Sequence, residues 1–283
     1  MNNLAVRFIT GVFFVAAIVV CFLNVRAMAL LFALITGLTI WEYCGLVNAI
    51  KGVKVNQLIC TVAGVYLFLA VFCFASDMTP SAVFIPYLLS VIYLMISELY
   101  LKNENPVNSW AYTMLSQMYI ALPLSMVSVL AFSRQQGTSE VVYTYIIPLS
   151  VFILLWCSDT GAYCAGSLFG KHKLFPRVSP GKTWEGSIGG GVLAMVAAGL
   201  IGWLTKGTSN DIGMSLPGWI GMAVVVVIFG TWGDLVESLF KRTLGIKDSG
   251  NILPGHGGML DRFDSSLMAI PATVLYLYTL SLL

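Results

Sequence analysis

A series of long apolar runs, joined by short polar connections, constrains this chain more than any other feature. The hydrocarbon core of a bilayer is ~30 Å thick and needs about 20 apolar residues in a helix. On that scale the sequence contains nine runs, near residues 8–24, 27–47, 56–75, 82–100, 112–132, 143–166, 186–205, 217–240 and 264–283. No soluble domain fits between them. We therefore predict an all-α polytopic membrane protein with about nine transmembrane helices, whose site is built from helix ends and short loops.

The composition supports the same class. Of the 283 residues, 58% are hydrophobic and 10% are charged, which is typical of an integral membrane protein rather than a soluble one. The net charge of +2 gives no electrostatic footprint for nucleic acid. None of the six cysteines forms a C-x-x-C pair, so they are interpreted as small apolar packing residues rather than zinc ligands or disulfides.

The first apolar run imitates a signal peptide, with Arg7 before it and Ala27-Met28-Ala29 after it. The run is long for a signal peptide, and a second apolar run follows at once. We therefore expect a retained first helix rather than a cleaved leader.

The distribution of lysine and arginine predicts the orientation, because these residues concentrate on the cytoplasmic side. With nine spans, twelve basic residues fall on one face and three on the other. The basic face carries Arg7, Lys51, Lys54, Lys102, Lys171, Lys173, Arg177, Lys182, Lys241, Arg242, Lys247 and Arg262, and the opposite face carries Arg26, Arg134 and Lys206. We predict a cytosolic N-terminus and a C-terminus on the opposite side.

Charged residues concentrate in the segment Ser238–Asp264, which is also rich in glycine. Charge is costly in so apolar a chain, and its clustering in a membrane protein indicates a functional site. A glycine-rich segment that carries both cations and carboxylates suits a phosphate ester with its metal ion. Its glycines would let backbone amides approach phosphate oxygens. The segment predicts phosphoryl chemistry at a membrane surface.

The predicted eighth helix carries Asp234, Glu237, Ser238 and Lys241 at positions i, i+3, i+4 and i+7. In a helix these residues line one face. One interpretation is a wall for metal and phosphate near the cytosolic end of the helix. The other is a polar stripe whose groups are paired for burial against neighbouring helices.

Asp261 and Asp264 open the last predicted helix and complete a carboxylate cluster with Asp234. Such a cluster is mutually repulsive without a cation, and Mg²⁺ prefers hard oxygen ligands together with substrate phosphates. His256 has three open interpretations: a general acid or base, a phosphate donor, or a side chain that stabilises its turn.

A second polar segment, Ser158–Gly191, joins the predicted sixth and seventh helices on the same face. Its basic residues, Lys171, His172, Lys173, Arg177 and Lys182, could bind a nucleotide triphosphate or an anionic lipid head group; the alternative is a juxtamembrane basic loop attracted to anionic lipid. Asp159 is assigned to the polar site, with a structural hydrogen bond as the alternative. The string SPGKT is not a Walker A motif, because Pro176 stands where its first glycine belongs. The pairs Gly166/Gly170 and Gly186/Gly190 predict close helix packing.

The stretch Ser238–Asp264 resembles the signature of the phosphatidate cytidylyltransferases, also called CDP-diacylglycerol synthases. The residues that carry the resemblance are Ser238, Phe240, Lys241-Arg242, Lys247-Asp248, Pro254, His256-Gly257-Gly258, Asp261-Arg262 and Asp264, without departure from the family pattern. The strings DTGAY, FGKHKL and SPGKTWEG of the second polar segment are also similar to that family. The first five predicted helices carry little of the resemblance.

The resemblance implies transfer of CMP from CTP to phosphatidic acid, giving CDP-diacylglycerol and pyrophosphate for phospholipid biosynthesis, with Mg²⁺ required and room for a second cation. It implies a homodimeric, multi-pass enzyme of the inner, cytoplasmic membrane, whose active site faces the cytosol. We expect one domain over residues 1–283, with generic membrane helices in 1–135 and catalytic helices and loops in 143–283.

The resemblance also implies roles for single residues. The implied metal ligands are Asp234, Asp261 and Asp264. The implied catalytic residues are Ser238, Lys241, Arg242, Lys247, Asp248, His256 and Arg262, and the candidate substrate-binding residues are Asp159, Lys171, Lys173 and Lys182.

Three rival hypotheses remain open. A CDP-alcohol phosphotransferase would need a D-G-x-x-A-R array with further aspartates, which this sequence lacks. An ion-coupled transporter could use Asp159, Asp234 and Glu237, but the charges crowd at one face and no internal repeat is evident. An inactive scaffold that keeps the motif is the third. Glu42 and Glu98, near the ends of two predicted spans, have no assigned role.

Overall fold

The structure is a computed structural model that describes residues 3–134, 140–208, 211–252 and 257–281, with residues 3–9 described by their helical backbone only. The α-helices are α1 Asn3–Phe22, α2 Val25–Val47, α3 Gln57–Ala75, α4 Ile85–Ser97, α5 Pro106–Leu115, α6 Leu122–Ala131, α7 Ile146–Phe169, α8 Trp184–Thr205, α9 Leu216–Thr243, α10 Leu260–Phe263 and α11 Ser266–Thr279. A 3₁₀ turn at Ser81–Phe84 precedes α4, and a π-helical segment at Ser116–Ala121 joins α5 to α6. Each predicted apolar run therefore contains a helix.

Six of these helical segments are long and apolar enough to cross a membrane: Val25–Val47, Gln57–Ala75, Pro106–Ala131, Ile146–Phe169, Trp184–Thr205 and Leu216–Thr243. The all-helical, multi-pass class is thus confirmed. Shorter apolar helices lie at Thr10–Phe22 and Ser81–Ser97, and the last predicted span is split into α10 and the 14-residue α11. The total of nine spans, the sides of the two termini and the division of the chain into residues 1–135 and 143–283 stay predictions.

Two small antiparallel hairpins were not predicted. Strand β1 (Phe132–Arg134) pairs with β2 (Val141–Tyr143), and strand β3 (Lys173–Phe175) pairs with β4 (Ser179–Thr183). The second hairpin is built from the polar segment between α7 and α8. Thr183 ends β4 and also caps α8, because its hydroxyl accepts the Gly186 N–H at 3.1 Å.

The π-helical segment has a local cause in the sequence. Pro123 lacks a backbone N–H and cannot continue the regular i to i−4 pattern of the preceding turn. Within the segment, the Gln117 side chain donates to the carbonyl oxygen of Cys60 in α3 at 3.0 Å. The predicted span at residues 112–132 is therefore helical without a break, but its α-helix is interrupted by a π-helical segment.

The helices pack in a sequence of neighbours in which α2 contacts α3, α3 contacts α6, α6 contacts α11, α11 contacts α9, α9 contacts α8 and α8 contacts α7. Helices from both halves of the chain thereby contribute to one buried apolar cluster. A group of phenylalanines fixes α10 within it: the Phe263 ring lies 5.8 Å from Phe14, 6.1 Å from Phe152 and 6.3 Å from Phe32, measured between centroids. This packing places α10 beside the C-terminal end of α9, the end that we predict to face the cytosol.

Small residues bring α7 and α8 close together, as their spacing predicted. A β-carbon on Gly186 would lie 2.9 Å from the Ala162 carbonyl oxygen, and one on Gly190 would lie 2.5 Å from that of Ser158. Backbone therefore packs directly on backbone, which requires glycine at these positions. The close contact also places Asp159 of α7 beside the start of α8.

Candidate active site

The polar stripe of α9 forms as its spacing predicted, and its members are paired with one another. The Ser238 hydroxyl donates to Asp234 Oδ1 at 3.1 Å, and Lys241 Nζ lies 2.7 Å from Glu237 Oε2. Glu237 is fully buried, whereas Asp234 is only partly buried. Glu237 and Lys241 are thus paired for burial, as one interpretation of the stripe predicted, while Asp234 lines a cavity and the wall for metal and phosphate stays a prediction.

Lys241 connects α9 to α10. Its ammonium group also lies 2.6 Å from Asp261 Oδ1, so one cation bridges two carboxylates. The other oxygen of Asp261 accepts the backbone N–H groups of Ser249 and Gly258, each at 2.8 Å. Burial alone would raise the pKa of Asp261, but the Lys241 ammonium and the two N–H donors outweigh it and hold that pKa below its ordinary value. Asp261 is therefore a buried, fixed carboxylate.

Glu42 of α2 reaches the same segment, a contact that the sequence analysis missed. Its carboxylate accepts the Met259 N–H at 2.8 Å, the Leu260 N–H at 3.2 Å and the hydroxyl of Ser249. The neighbouring residue Tyr43 stacks on Phe240 of α9, with ring centroids 5.3 Å apart and an interplanar angle of 24°. A buried glutamate in an apolar span is itself a signal for function, and that signal was available. Its partners, more than 200 residues away in the chain, were not.

The glycines of this segment make room for a carboxylate of the protein itself. A β-carbon on Gly250 would lie 2.7 Å from Glu42 Oε2, and one on Gly258 would overlap Glu42 Oε1. The backbone amides of Ser249, Gly258, Met259 and Leu260 accordingly point at Glu42 and Asp261. We predicted that such amides face phosphate oxygens; in the described part of the segment these four bind protein carboxylates instead.

Four aspartates line one cavity of about 330 Å³ at the junction of α7, α9 and α10. They are Asp159, Asp234, Asp261 and Asp264, and Arg262 lines the same cavity. The opposite wall comes from α1 and α7: Thr10, Gly11, Phe14, Val15 and Trp156. The predicted metal ligands and Asp159 thus line one cavity.

A second cavity, of about 390 Å³, lies between α7, the β3–β4 hairpin and α8. Asp159 and Ser265 line both cavities, so the two spaces meet. Lys182 of β4 lines the second cavity, and its ammonium group lies 2.5 Å from Asp234 Oδ2. The hairpin therefore delivers one cation to the carboxylates of α9.

The other predicted basic residues lie outside these cavities. Lys171 and Lys173 are exposed on the hairpin, where the N–H groups of Lys171 and His172 donate to Glu185 at 3.1 and 3.2 Å. Lys247 and Asp248 are exposed on the segment after α9. The Arg242 guanidinium donates to the Ile246 carbonyl oxygen at 3.1 Å. His256 lies outside the described residues.

The donor set of the aspartate cavity fits a hard divalent cation in chemistry. Carboxylate oxygens are the ligands that Mg²⁺ prefers, and four of these groups face one space. Their oxygens are partly engaged, since Lys182 holds Asp234, Lys241 holds Asp261 and the Ser265 N–H donates to Asp264 at 2.5 Å. Among the described residues, no three His, Cys, Asp or Glu side chains stand in a metal-binding arrangement.

Comparison with known proteins gives the family. The sequence profile of the Cytidylyltransferase family matches residues 5–280. A phosphatidate cytidylyltransferase of Haemophilus influenzae is 34% identical over 243 residues, which are 83% of this chain and 84% of the relative. Phosphatidate cytidylyltransferases of Staphylococcus aureus and Staphylococcus haemolyticus are each 37% identical, over 185 and 187 residues, or 65% of this chain and of each relative. The family profile spans the α9 stripe, the aspartate cavity and the hairpin, and the chain belongs to the cytidylyltransferase family of nucleotidyltransferase enzymes.

Proposed function

We propose that this protein is a phosphatidate cytidylyltransferase, which converts CTP and phosphatidic acid into CDP-diacylglycerol and pyrophosphate. The observation that carries the proposal is the aspartate cavity, which Asp159, Asp234, Asp261 and Asp264 line together with Arg262, in a member of the family with several membrane-span candidates. The relatives named phosphatidate cytidylyltransferase supply the substrates of the proposal.

In the proposed reaction, an oxygen of the phosphatidate phosphate forms a bond to the α-phosphorus of CTP. The bond between that phosphorus and the oxygen bridging to the β-phosphorus breaks, and pyrophosphate leaves with its electron pair. Both reactants are anions, so the first requirement is to reduce their repulsion. Positioning supplies much of the remaining acceleration, because phosphoryl transfer asks little covalent chemistry of the protein.

Asp234, Asp261 and Asp264 would hold Mg²⁺, with Asp159 beside them and room for a second cation. The bound ion would supply charge neutralisation on the phosphates and on the departing pyrophosphate. The chain's own groups prepare the site. Lys241 fixes Asp261 at 2.6 Å, and Lys182 lies 2.5 Å from Asp234 at the meeting point of the two cavities.

Arg262 faces the aspartate cavity and would bind a phosphate directly. Ser238 orients Asp234 through its hydrogen bond. The exposed Arg242, Lys247, Lys171 and Lys173 would act at the aqueous rim, where their positive charges raise the local concentration of anionic substrates, and Asp248 lies beside Lys247 on the same rim. The role of His256 keeps its three alternatives.

The proposal extends to location and assembly. We place the site at the cytosolic face of the inner membrane, where the basic residues concentrate and where CTP is available. Membrane lipid supplies the second substrate laterally, and a homodimer is the expected assembly.

The experiment is pyrophosphate release by the purified protein in detergent micelles that contain CTP, phosphatidate and Mg²⁺. EDTA, omission of lipid and the Asp261→Asn variant serve as controls. Release that needs both substrates and the metal, and that is lost in the variant, supports the proposal. Absence of release from folded protein contradicts it, and flux in proteoliposomes would then test the transporter hypothesis.

A further inference from the structure

Glu42 makes contacts that the proposed reaction does not require of it. It lies on α2, in the half of the chain that the sequence assigned to generic membrane helices, and its side chain lines neither cavity. It is nevertheless buried, with 9% of its surface exposed. An isolated buried carboxylate is costly unless donors satisfy it.

The donors all belong to one segment, residues 249–260, that leads into α10. The Ser249 hydroxyl and the N–H groups of Met259 and Leu260 converge on the two carboxylate oxygens. These residues flank the undescribed residues 253–256 on both sides. One carboxylate thus ties the beginning of the segment to its end.

Asp261 is held by the same stretch of backbone. Its Oδ2 accepts the N–H of Ser249 and that of Gly258, each at 2.8 Å. Ser249 therefore binds Glu42 with its hydroxyl and Asp261 with its amide. Any movement of the segment away from Glu42 would withdraw donors from Asp261 and disturb its contact with Lys241.

The surroundings of Glu42 fit this role closely. Gly250 and Gly258 leave no space for a β-carbon beside its carboxylate. The stack of Tyr43 on Phe240 fixes α2 against α9 one residue away. The packing of α2 against α9 thus fixes the position of Glu42, and the segment that it binds encloses its carboxylate.

We propose that Glu42 is a positioning residue, whose carboxylate holds Ser249, Met259 and Leu260 so that Asp261 and Lys241 stand in their working arrangement before substrate binds. The proposal rests on the proposed function for its catalytic part. It assigns a task to the N-terminal half of the chain that no motif in that half indicates.

The test compares Glu42→Gln with wild type and with Glu98→Gln. Glutamine keeps the size of the side chain but turns an amide donor toward groups that are themselves donors. Glu98 is a matched control, because it is also a buried glutamate near a helix end and its contact is with Asn103. Ser249→Ala removes one donor only, and serves if Glu42→Gln does not fold.

The first readout is independent of activity. Hydrogen–deuterium exchange in micelles should become faster in Glu42→Gln by about tenfold or more at Met259 and Leu260, the factor expected for losing a hydrogen bond to a charged acceptor. Ser249→Ala should show a smaller acceleration in the same peptides, and Glu98→Gln none. Unchanged exchange in both Glu42→Gln and Ser249→Ala overturns the positioning role, whatever the activity.

The second readout is catalytic. In Glu42→Gln we expect kcat for pyrophosphate release to fall by about tenfold or more with KM for CTP changed little, and the half-saturating Mg²⁺ concentration to rise, since Asp261 is less well held. Faster exchange with wild-type kcat and Mg²⁺ dependence overturns the catalytic part. A wild-type protein without CTP- and phosphatidate-dependent release overturns the proposed function instead, and the exchange data distinguish that failure from this one.

Discussion

The two polar segments of this protein differ in whether any of their charges are buried. In Ser238–Asp264 two opposite charges, Lys241 and Asp261, are buried and paired with each other, and Lys241 also contacts Glu237, while Lys247 and Asp248 of the same segment are exposed. On the hairpin between α7 and α8, Lys171 and Lys173 face outward and only Lys182 reaches a carboxylate of the cavity. Both segments read as basic and glycine-containing in sequence. Burial, rather than composition, separates a fixed site from a charged rim.

The strongest challenge to this comparison is Asp261→Asn, in the buried segment. The substitution removes the charge opposite Lys241 and leaves Lys241 paired with Glu237 alone. We expect pyrophosphate release to fall by roughly 10²–10³-fold, the scale of losing one preorganised electrostatic group. Size-exclusion chromatography and circular dichroism should show folded protein. Activity within a few-fold of wild type would remove Asp261 from the reaction.

Lys182→Ala tests the one hairpin cation that contacts the cavity. Its partner Asp234 would lose a neighbour 2.5 Å away, but the pair is about a quarter exposed, so solvent compensates in part. We expect a fall in kcat/KM of roughly tenfold to a hundredfold, below the effect of Asp261→Asn. Steady-state kinetics with CTP and phosphatidate measure it. A loss no greater than that of Lys173→Ala would place Lys182 on the rim with the others.

A pair of glycine substitutions contrasts the packing of the two segments. In Gly258→Ala the new β-carbon overlaps Glu42, whereas in Gly181→Ala of the hairpin it meets nothing within 4 Å. We expect Gly258→Ala to lower the free energy of unfolding by about 1–3 kcal/mol, the usual range for overpacking, and Gly181→Ala to leave it nearly unchanged. Thermal unfolding in detergent gives the comparison. Equal Tm values for the two variants would show that the segment moves to accommodate the new β-carbon beside Glu42.

The smallest effect is expected from the exposed rim. Lys171→Ala combined with Lys173→Ala should raise KM for CTP by about threefold or less at low ionic strength, because exposed charges attract anions but are screened by salt. At ~1 M salt, where the Debye length is about 3 Å, the difference should vanish. Kinetics at both salt concentrations check this. A salt-independent defect would indicate direct contact with substrate.

Local features of this protein were predictable because their causes lie within one helix or one short stretch. The 3.6-residue period placed Asp234, Ser238 and Lys241 on one face, and the glycine spacing placed α7 against α8. Apolar length located the helices to within a few residues, although Pro123 and its π-helical segment were not foreseen.

Contacts between distant residues could not be predicted in this way. Nothing in the sequence near Glu42 indicates Ser249 as its partner, and nothing near Lys182 indicates Asp234. These contacts depend on how whole helices pack against one another, which a single sequence does not show. The amides of the glycine-rich segment are an example, since we predicted that they face phosphate oxygens, whereas those of Met259 and Leu260 bind a side chain of α2.

The distance along the chain between Glu42 and its donors has a consequence for biosynthesis. Ser249 is made 207 residues after Glu42. At a synthesis rate of about 5–20 residues per second, α2 enters the membrane on the order of 10–40 s before its partners exist. During that interval the glutamate, five residues from the end of α2, must be solvated by water or lipid head groups at the bilayer boundary. A later part of the chain therefore supplies the partners of a carboxylate that lies in α2.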